Sequence, residues 1–229
     1  MQASLDEFGA IAALIFDMDG LLLDTEGIYS EVTQIISDRY SDRIFDWSLK
    51  QHTIGLGARE LASFIIRALE LPMSVDDYLQ ARTPLMDERF PRARAMAGAE
   101  RLVRHLSANK VPIAVGTSSS KHFFELKTTL HQDWFALFDT VVTADDPQVG
   151  AAKPAPDIFL VAAERLGIAP AHCLVFEDSP FGITAAKAAG MLAIAIPDAA
   201  MPPEKFAHAD RIIRSLESFQ PEHYGLPAR

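Results

Sequence analysis

An apolar run that ends in two acids does most to limit what this chain can fold into. Residues 11–16 are all hydrophobic, and Asp17, Asp19 and Gly20 follow almost at once. A short, continuous apolar run is typical of a strand buried on both faces of a parallel sheet. In open sheets of this kind the ligand crevice lies at the carboxyl ends of the strands. The sequence therefore predicts that Asp17 and Asp19 lie in a ligand site, although acids that only cap a turn are the alternative.

The rest of the sheet is predicted by an alternation of strand and helix patterns that begins near residue 98. Helical periodicity separates successive apolar runs, which is the pattern of a parallel sheet covered by helices on both faces. This predicts an α/β fold with a Rossmann-like core. The strands expected after the first are residues 111–115, 138–143, 173–176, 192–196 and a short one at 211–213.

The segment between the first strand and this alternation shows only helical patterns. Ser74 and Asp77 resemble a capping box at the start of one helix, and Pro84 is expected to bend or interrupt that helix. We therefore expect an all-helical cap domain inserted into the Rossmann-like core. The expected boundaries are 1–26 and 94–229 for the core and 27–93 for the cap.

Composition and charge exclude several classes of function. The chain has 229 residues, 49% of them apolar, and a formal net charge of −10, which argues against nucleic acid or an anionic membrane as a partner. The single cysteine, Cys173, excludes an internal disulfide and suits a reducing compartment. No apolar run has the length of a membrane span, and no signal-peptide pattern opens the chain. We expect a cytoplasmic protein, and its acidic surface favours a monomer.

Polar side chains follow predicted strands or precede predicted helices at four places. If these places share one edge of the sheet, several carboxylates face the same ligand. Each close pair of a carboxylate and a phosphate dianion would repel by about 4 kcal/mol at an effective dielectric constant near 20. Such a site binds phosphate only with the help of cations, which a lysine and a Mg²⁺ ion held by the acids can supply. The residues are Asp17 with Asp19, Thr117 with Ser118, Lys153, and Glu177 with Asp178.

These residue types also suit a particular chemistry. The hydroxyl and backbone N–H groups of Thr117 and Ser118 can bind a phosphoryl group. An aspartate can attack phosphorus and form an aspartyl-phosphate. A second acid beside it can protonate the leaving oxygen and then deprotonate water, provided that its pKa rises toward the working pH in the loaded site.

Taken together, these motifs resemble the four motifs of the haloacid dehalogenase-like hydrolase superfamily, and the helical insertion resembles its helical-cap subclass. The motifs are residues 17–20, 117–118, 153–157 and 177–178. The resemblance implies that Asp17 is the nucleophile and Asp19 the general acid and base. It implies that Thr117, or the Ser118 backbone, holds the phosphoryl group together with Lys153.

The same resemblance implies a metal site and a moving cap. Mg²⁺ would be bound by Asp17, the backbone carbonyl of Asp19 and Asp178, with Glu177 ligating directly or through water. The cap would open and close about residues 24–26 and 94–98.

Within the superfamily, the chain resembles pseudouridine-5′-phosphatases through segments such as 71–74, 145–147 and 173–178. The cap loop, residues 55–59, is expected to face the leaving group, so Gly55, Leu56 and Arg59 are candidates for substrate contact. This loop lacks the paired lysines expected after Gly55 in that subgroup. The expected substrate is a small phosphorylated metabolite, a sugar or nucleotide phosphate, with pseudouridine 5′-phosphate as one candidate.

Four other functions share parts of this pattern of motifs. Phosphomutases similar to β-phosphoglucomutase share all four motifs, but they carry a histidine where this chain has Tyr29 and an arginine three residues after the cap-loop glycine. Here Arg59 follows Gly55 by four. A haloacid dehalogenase proper has no use for Asp19. A P-loop nucleotide switch needs GxxxxGK(S/T), which is absent. A catalytically inactive binding protein is the non-enzyme alternative, and it would be expected to have lost some catalytic side chains.

Overall fold

Six parallel strands form the sheet that the alternating pattern predicts, in the order β5-β4-β1-β6-β7-β8 along the sheet. The structure is a computed structural model that describes residues 10–228. In chain order the strands are β1 (Ala13–Phe16), β2 (Leu23–Asp24), β3 (Arg94–Ala95), β4 (Ile113–Gly116), β5 (Thr140–Val142), β6 (Cys173–Glu177), β7 (Leu192–Ala195) and β8 (Arg211–Ile212).

Helices cover both faces of this sheet and also build the inserted segment. They are α1 (Glu26–Ser37), α2 (Trp47–Lys50), α3 (Ala58–Ala68), α4 (Val75–Arg89), α5 (Ala99–Ala108), α6 (Lys121–Lys127), α7 (Gln132–Phe135), α8 (Asp157–Leu166) and α9 (Pro180–Ala188). Short 3₁₀ turns occupy Phe90–Arg92, Pro170–His172, Pro203–Phe206, Leu216–Ser218 and Pro221–Tyr224. Among the described residues, no helix combines the length and the apolar character that crossing a membrane requires.

Strand β1 lies at the centre of the sheet, as its apolar sequence predicts. It pairs in parallel with β4 on one side and β6 on the other, and all four of its residues are buried. Leu14 and Phe16 belong to the hydrophobic cluster on one face, whereas Ala13 and Ile15 belong to the cluster on the opposite face. Burial on both faces explains the run of hydrophobic residues and fixes the position of the acids that follow it. The α/β fold with a Rossmann-like core is confirmed.

The inserted segment has a hydrophobic core of its own. Side chains from α1, α3 and α4 form a third cluster, which includes Val32, Ile65 and Tyr78. Strands β2 and β3 pair antiparallel where the chain enters and leaves this segment, at the two places expected to act as hinges. The all-helical character of the cap is therefore as predicted, and its exact boundaries remain a prediction.

Helix α4 confirms the expected capping box, and of the two effects expected from Pro84 it excludes an interruption. The capping box forms: the Ser74 hydroxyl accepts the Asp77 N–H, and the Asp77 carboxylate accepts the Ser74 N–H. The helix is not interrupted at Pro84 but runs through it to Arg89. A proline in a helix removes one backbone hydrogen bond. Tyr78 and Met86 are buried on either side of it, so tertiary packing holds both halves of the helix in place.

Candidate active site

The carboxyl ends of β1, β4 and β6 open into a cavity of about 390 Å³ beneath the cap. This is the edge of the sheet at which four groups of polar residues were expected to converge. The core contributes Asp17, Asp19, Ser118, Lys153, Glu177 and Asp178 to its lining, and the cap contributes residues 53–58, Leu61, Tyr29 and Arg82. The structure therefore brings together the residues predicted from the first, third and fourth motifs, and one of the two from the second.

Asp17 and Lys153 form a buried ion pair at the base of the cavity. The Lys153 ammonium donates to Asp17 Oδ1 at 2.6 Å, to Glu177 Oε1 at 2.7 Å and to the Gly116 carbonyl at 3.0 Å. Its Nζ also lies 4.7 Å from the centre of the Phe159 ring. These contacts fix the ammonium beside the carboxylate that the resemblance identifies as the nucleophile. Within residues 10–228 no donor binds the other carboxylate oxygen, Oδ2, and Asp17 lines the cavity.

Two carboxyls in this part of the site, those of Asp17 and Asp178, have raised pKa values. Burial raises the pKa of Asp17 to about 7, and the negative charges of Glu177 and Asp19 add to the effect, although Lys153 opposes it. Burial and the charge of Glu177 also raise the pKa of Asp178 well above its ordinary range. Protein cations therefore do not fully compensate these acids.

The geometry of the same acids fits a divalent cation. One ligand oxygen from each of Asp17, Glu177 and Asp178 lies within 4.8 Å of the others. The Asp178 carboxylate has no hydrogen-bond donor within residues 10–228. It lies so close to Gly20 that a Cβ there would be 2.2 Å from Asp178 Oδ2, which explains the glycine of the first motif. Clustered carboxylate oxygens are the donor set that Mg²⁺ prefers. The raised pKa values of Asp17 and Asp178 indicate negative charge that a bound cation would stabilise.

Glu177 differs from the other two acids because both of its oxygens already accept hydrogen bonds. Oε1 accepts from Lys153, and Oε2 accepts from the backbone N–H of Ser179 at 2.8 Å and from its hydroxyl at 2.9 Å. A Cβ at Gly182 would lie 1.8 Å from Oε1, so helix α9 can approach Glu177 only with glycine there. Of the two roles expected for Glu177, this geometry favours one in which it orients Lys153 and reaches a metal through water.

Asp19 pairs with a different lysine, Lys127, which the sequence analysis did not identify. The fully buried Lys127 ammonium donates to Asp19 Oδ1 at 2.5 Å, to the Ser119 hydroxyl at 2.6 Å and to the Tyr29 hydroxyl at 2.8 Å. Asp19 also accepts from the Thr25 hydroxyl at 2.6 Å and from the Ser119 hydroxyl at 2.8 Å. Asp19 is therefore held by donors on both of its oxygens.

These donors set the charge of Asp19. Burial alone would raise its pKa, but the positive charge of Lys127 and the hydrogen bonds from Lys127, Thr25 and Ser119 outweigh that effect and lower it. The expectation that the pKa of Asp19 rises concerned the site with phosphate bound. In the free cavity the pKa moves in the opposite direction, because a buried cation lies in direct contact with the carboxylate.

The second motif is divided between the cavity and the layer below it. Ser118 is exposed and lines the cavity, in accord with a role in phosphate binding. Thr117 is fully buried, and its hydroxyl accepts the Ser119 N–H at 3.0 Å and lies 3.5 Å from Asp19 Oδ2. Thr117 therefore shapes the loop and does not line the cavity in this structure.

The cap residues predicted to contact substrate also fall into two groups. Gly55 and Leu56 line the cavity. Gly55 has a positive φ (+84°), and a Cβ there would lie 3.0 Å from the Cβ of Ser179, so glycine lets the loop approach that residue closely. Arg59 does not reach the cavity: its side chain is 68% exposed and pairs with Asp76 at 2.7 Å. The expectation for Arg59 is therefore not met, because the start of α3 points this side chain toward α4 and solvent.

Lys127 and Arg82 are buried cations that were not predicted from the sequence, although the helical spacing around each of them indicates burial. Lys127 lies four residues after Phe123 and three after Phe124, so it shares the face of α6 that carries two aromatic residues. Arg82 lies four residues from both Tyr78 and Met86, and these three are the buried residues of α4. A cation on the apolar stripe of a helix is costly to bury without a partner, and this cost is the signal of a specific role.

Comparison with known proteins shows the family to which the chain belongs. Residues 11–190 match the haloacid dehalogenase-like hydrolase family, so the chain belongs to that family. It is 46% identical to a probable pseudouridine-5′-phosphatase of Drosophila melanogaster, over 93% of this chain and 94% of the relative. It is 43% identical to (DL)-glycerol-3-phosphatase 2 of Arabidopsis thaliana, over 96% and 93% of the two chains.

A solved structure shows the same arrangement of the chain. CbbY from Rhodobacter sphaeroides, crystallised in complex with phosphate, superposes with a TM-score of 0.78 and 25% identity, over 91% of this chain and 96% of that one. The family and its named phosphatases identify the chain as an enzyme, a phosphoric monoester hydrolase.

Proposed function

We propose that this enzyme hydrolyses a small phosphomonoester in two steps, through an aspartyl-phosphate on Asp17, with Mg²⁺ as cofactor. The observation that carries the proposal is the pairing of Asp17 with Lys153 at the base of the cavity. Asp19, two residues further along the chain, pairs with a different lysine, Lys127. In the first step Asp17 Oδ2 attacks phosphorus, and the bond from phosphorus to the leaving oxygen breaks. The leaving oxygen takes a proton from Asp19. In the second step water attacks phosphorus and gives a proton to Asp19, and the bond from phosphorus to Asp17 Oδ2 breaks, which releases phosphate and restores the Asp17 carboxylate.

The proton on Asp19 requires a change in its pKa on substrate binding. In the free cavity Lys127 holds this pKa low. A phosphoryl group brings negative charge close to Asp19, and a nearby like charge raises the pKa of a carboxyl. The substrate would thus create the protonated acid that the first step consumes.

The metal would be held by Asp17, Asp178 and the backbone carbonyl of Asp19, with Glu177 acting through water. When bound, Mg²⁺ supplies positive charge that neutralises the phosphoryl oxygens. Lys153 contributes the second cation, and Ser118 offers a hydroxyl and a backbone N–H at the edge of the cavity. The raised pKa of Asp17, about 7 in the absence of a metal, supports this assignment because a cation would favour the ionised form that attacks phosphorus.

The substrate we propose is a sugar or nucleotide phosphate or a polyol phosphate. Relatives named for pseudouridine 5′-phosphate and for glycerol 3-phosphate support this class. The cap lines the cavity with Ile54, Leu56 and Leu61, which would pack against the carbon skeleton of a leaving group. Pseudouridine 5′-phosphate is the specific candidate that we place first.

The phosphomutase alternative is disfavoured by the environment of Tyr29, which stands where those enzymes carry a histidine. Its hydroxyl is bound by Lys127, and burial together with the charge of Asp19 raises its pKa above the ordinary range for a phenol. Such a group does not exchange protons near neutral pH as an imidazole does. Transfer of the phosphoryl group to water is therefore the reaction we propose.

A panel of phosphorylated metabolites tests this proposal. The purified enzyme with Mg²⁺ should release inorganic phosphate from pseudouridine 5′-phosphate or glycerol 3-phosphate with a higher kcat/KM than from the other members. The same samples should be analysed for isomerised sugar phosphates. Isomerised products without phosphate release would show a phosphomutase, and release of no phosphate from any member would contradict the proposal as a whole.

A further inference from the structure

Arg82 of helix α4 is a buried cation for which the proposed chemistry has no use. Its side chain lines the cavity from the cap side, yet the residue is only 6% exposed. Its Nη1 atom is buried, and no acceptor within residues 10–228 lies within hydrogen-bond distance of it. A buried guanidinium without a partner is rare because it loses hydration and regains nothing.

The surroundings of Arg82 explain why it lacks a partner. Two phenols are close enough for its positive charge to lower their pKa values against the effect of burial. Both are already bonded elsewhere, since the Tyr78 hydroxyl pairs with Thr33 at 3.2 Å and the Tyr29 hydroxyl with Lys127 at 2.8 Å. Cap residues therefore surround the guanidinium without satisfying it.

The other two buried cations of the site differ from Arg82. Lys153 pairs with two carboxylates, and Lys127 pairs with Asp19. Each of them has a protein anion in direct contact, so folding alone accounts for its burial. Arg82 has no ion-pair partner in the part of the chain that the structure describes. Because Arg82 lines the cavity, a ligand bound there is in a position to supply the acceptor that the described residues do not.

We propose that Arg82 binds an oxygen acceptor at the end of the substrate opposite the phosphoryl group, and that it selects leaving groups which carry one. This inference rests on the proposed function, because it assigns the leaving-group side of the same cavity. Guanidinium N–H groups bind carbonyl, hydroxyl and carboxylate oxygens alike. The acceptor can therefore be neutral, as in a nucleobase or polyol, or anionic, as in a carboxylate, and the experiment separates the two.

The test compares three enzymes on substrates that differ at the leaving group. The enzymes are the wild type, Arg82→Met, and Arg67→Met as a matched control on an exposed arginine of the cap. Propyl and hexyl phosphate carry no acceptor beyond the phosphate. Glycerol 3-phosphate and pseudouridine 5′-phosphate carry neutral acceptors, and phosphoglycolate carries a carboxylate and no hydroxyl. The measurement is kcat/KM for each pair, with the melting temperature of each enzyme without substrate.

We expect Arg82→Met to lower kcat/KM by about 10- to 100-fold for substrates with an acceptor, the effect of losing a hydrogen bond to a charged group. Its kcat/KM for the alkyl phosphates should match that of the wild type. A loss confined to glycerol 3-phosphate and pseudouridine 5′-phosphate identifies a neutral acceptor, and a loss confined to phosphoglycolate identifies an anionic one. Arg67→Met should behave as the wild type throughout.

The melting temperature separates a binding role from a structural one. Because Arg82 has an unsatisfied charge in the free enzyme, Arg82→Met should melt at the same temperature as the wild type or higher. A lower melting temperature with an equal loss on all substrates, alkyl phosphates included, would overturn the inference and leave the proposed phosphatase intact. No loss on any substrate would overturn it as well. If the wild type releases phosphate from none of the five compounds, the proposed function itself fails.

Discussion

Two ion pairs of the same chemical type lie side by side in this enzyme, yet the pKa values of their two acids are shifted in opposite directions. Asp17 pairs with Lys153 and Asp19 pairs with Lys127, at 2.6 Å and 2.5 Å, and both lysines are buried. Yet the pKa of Asp17 is raised to about 7, whereas that of Asp19 is lowered. Distance to a lysine alone therefore does not determine the charge of a buried carboxyl.

The two pKa shifts differ in direction because the two lysines contact different numbers of carboxylates. Lys153 is shared between Asp17 and Glu177, so one positive charge serves two negative ones, and Asp178 lies beside them. Lys127 serves one carboxylate, and its other partners are the neutral hydroxyls of Ser119 and Tyr29. One pair is thus short of positive charge and the other is balanced. A shortage of positive charge suits a metal site, and a balanced pair suits a proton carrier with a fixed orientation.

The largest effect should follow removal of the acid in the pair that is short of positive charge, Asp17 with Lys153, which we call the deficient pair. Asp17→Asn keeps the size and burial of the side chain but removes the nucleophilic carboxylate. We expect kcat for p-nitrophenyl phosphate to fall by roughly 10⁴- to 10⁶-fold, as for loss of other catalytic nucleophiles. The melting temperature should not fall, because Lys153 retains Glu177. Turnover within tenfold of the wild type would contradict the assignment of Asp17.

Removal of the metal should abolish activity through the deficient pair, because Asp17 is a proposed metal ligand and the Asp19 carboxylate is not. With excess EDTA we expect less than about a hundredth of the Mg²⁺-supported rate, restored by excess Mg²⁺. Metal binding needs ionised ligands, and Asp17 and Asp178 have raised pKa values, so binding releases protons. The rise in melting temperature on adding Mg²⁺ should therefore be larger at pH 8 than at pH 6. Full activity in EDTA, or an equal rise at both pH values, would argue against this metal site.

The balanced pair should be sensitive to its lysine. Lys127→Met leaves Asp19 buried without its cation, which favours the neutral acid and disturbs its orientation. We expect kcat to fall by about 10- to 100-fold and the protein to lose about 3–5 kcal/mol of stability. Lys121→Met, on the exposed side of the same helix, is the matched control and should change neither.

A second variant separates orientation of Asp19 from a general loss of stability. In the double variant Asp19→Asn/Lys127→Met no unpaired charge remains, so most of the lost stability should return while activity does not. If the double variant is as unstable as Lys127→Met, then Lys127 supports the fold independently of Asp19.

The smallest effect should come from the neutral partner of Lys127. Tyr29→Phe removes one hydrogen bond between the cap and the balanced pair and keeps the ring against Phe90. We expect a change in kcat of about 2- to 10-fold, the contribution of a single neutral partner. A loss of 100-fold or more would instead indicate that Tyr29 carries protons, as the histidine at this position of the phosphomutases is expected to do.

The sequence predicts the deficient pair more completely than the balanced one. Asp17 follows a strand with no polar residue, and Lys153 and Asp178 lie next to other predicted elements, so topology alone places them together. Lys127 lies at the last position of a seven-residue helix, far from any strand end. Only the packing of α6 against the loop after β1 brings it to Asp19. The fold follows from local patterns, but such a contact depends on how helices pack on the sheet.

The cap shows the same limit. The periodicity of residues 27–93 predicts helices, and the structure has them, but it does not predict which arginine faces the cavity. Arg59 is a candidate for substrate contact because it belongs to the cap loop, but in the structure it is exposed and pairs with Asp76. Arg82, in the middle of α4, is the arginine that lines the cavity. The sequence around an arginine does not predict whether it faces the cavity, because the direction of its side chain depends on how its helix is rotated.

The central claim is that the two acids have different roles, Asp17 in attack and Asp19 in proton transfer. Reductive trapping tests it most directly. The enzyme is quenched in acid during turnover and treated with borohydride, which converts an aspartyl-phosphate to homoserine, and peptides covering residues 10–30 are then sequenced by mass spectrometry. We predict homoserine at position 17 and unmodified aspartate at positions 19 and 24. Homoserine at position 19, or at neither position in an actively turning-over sample, would contradict the account.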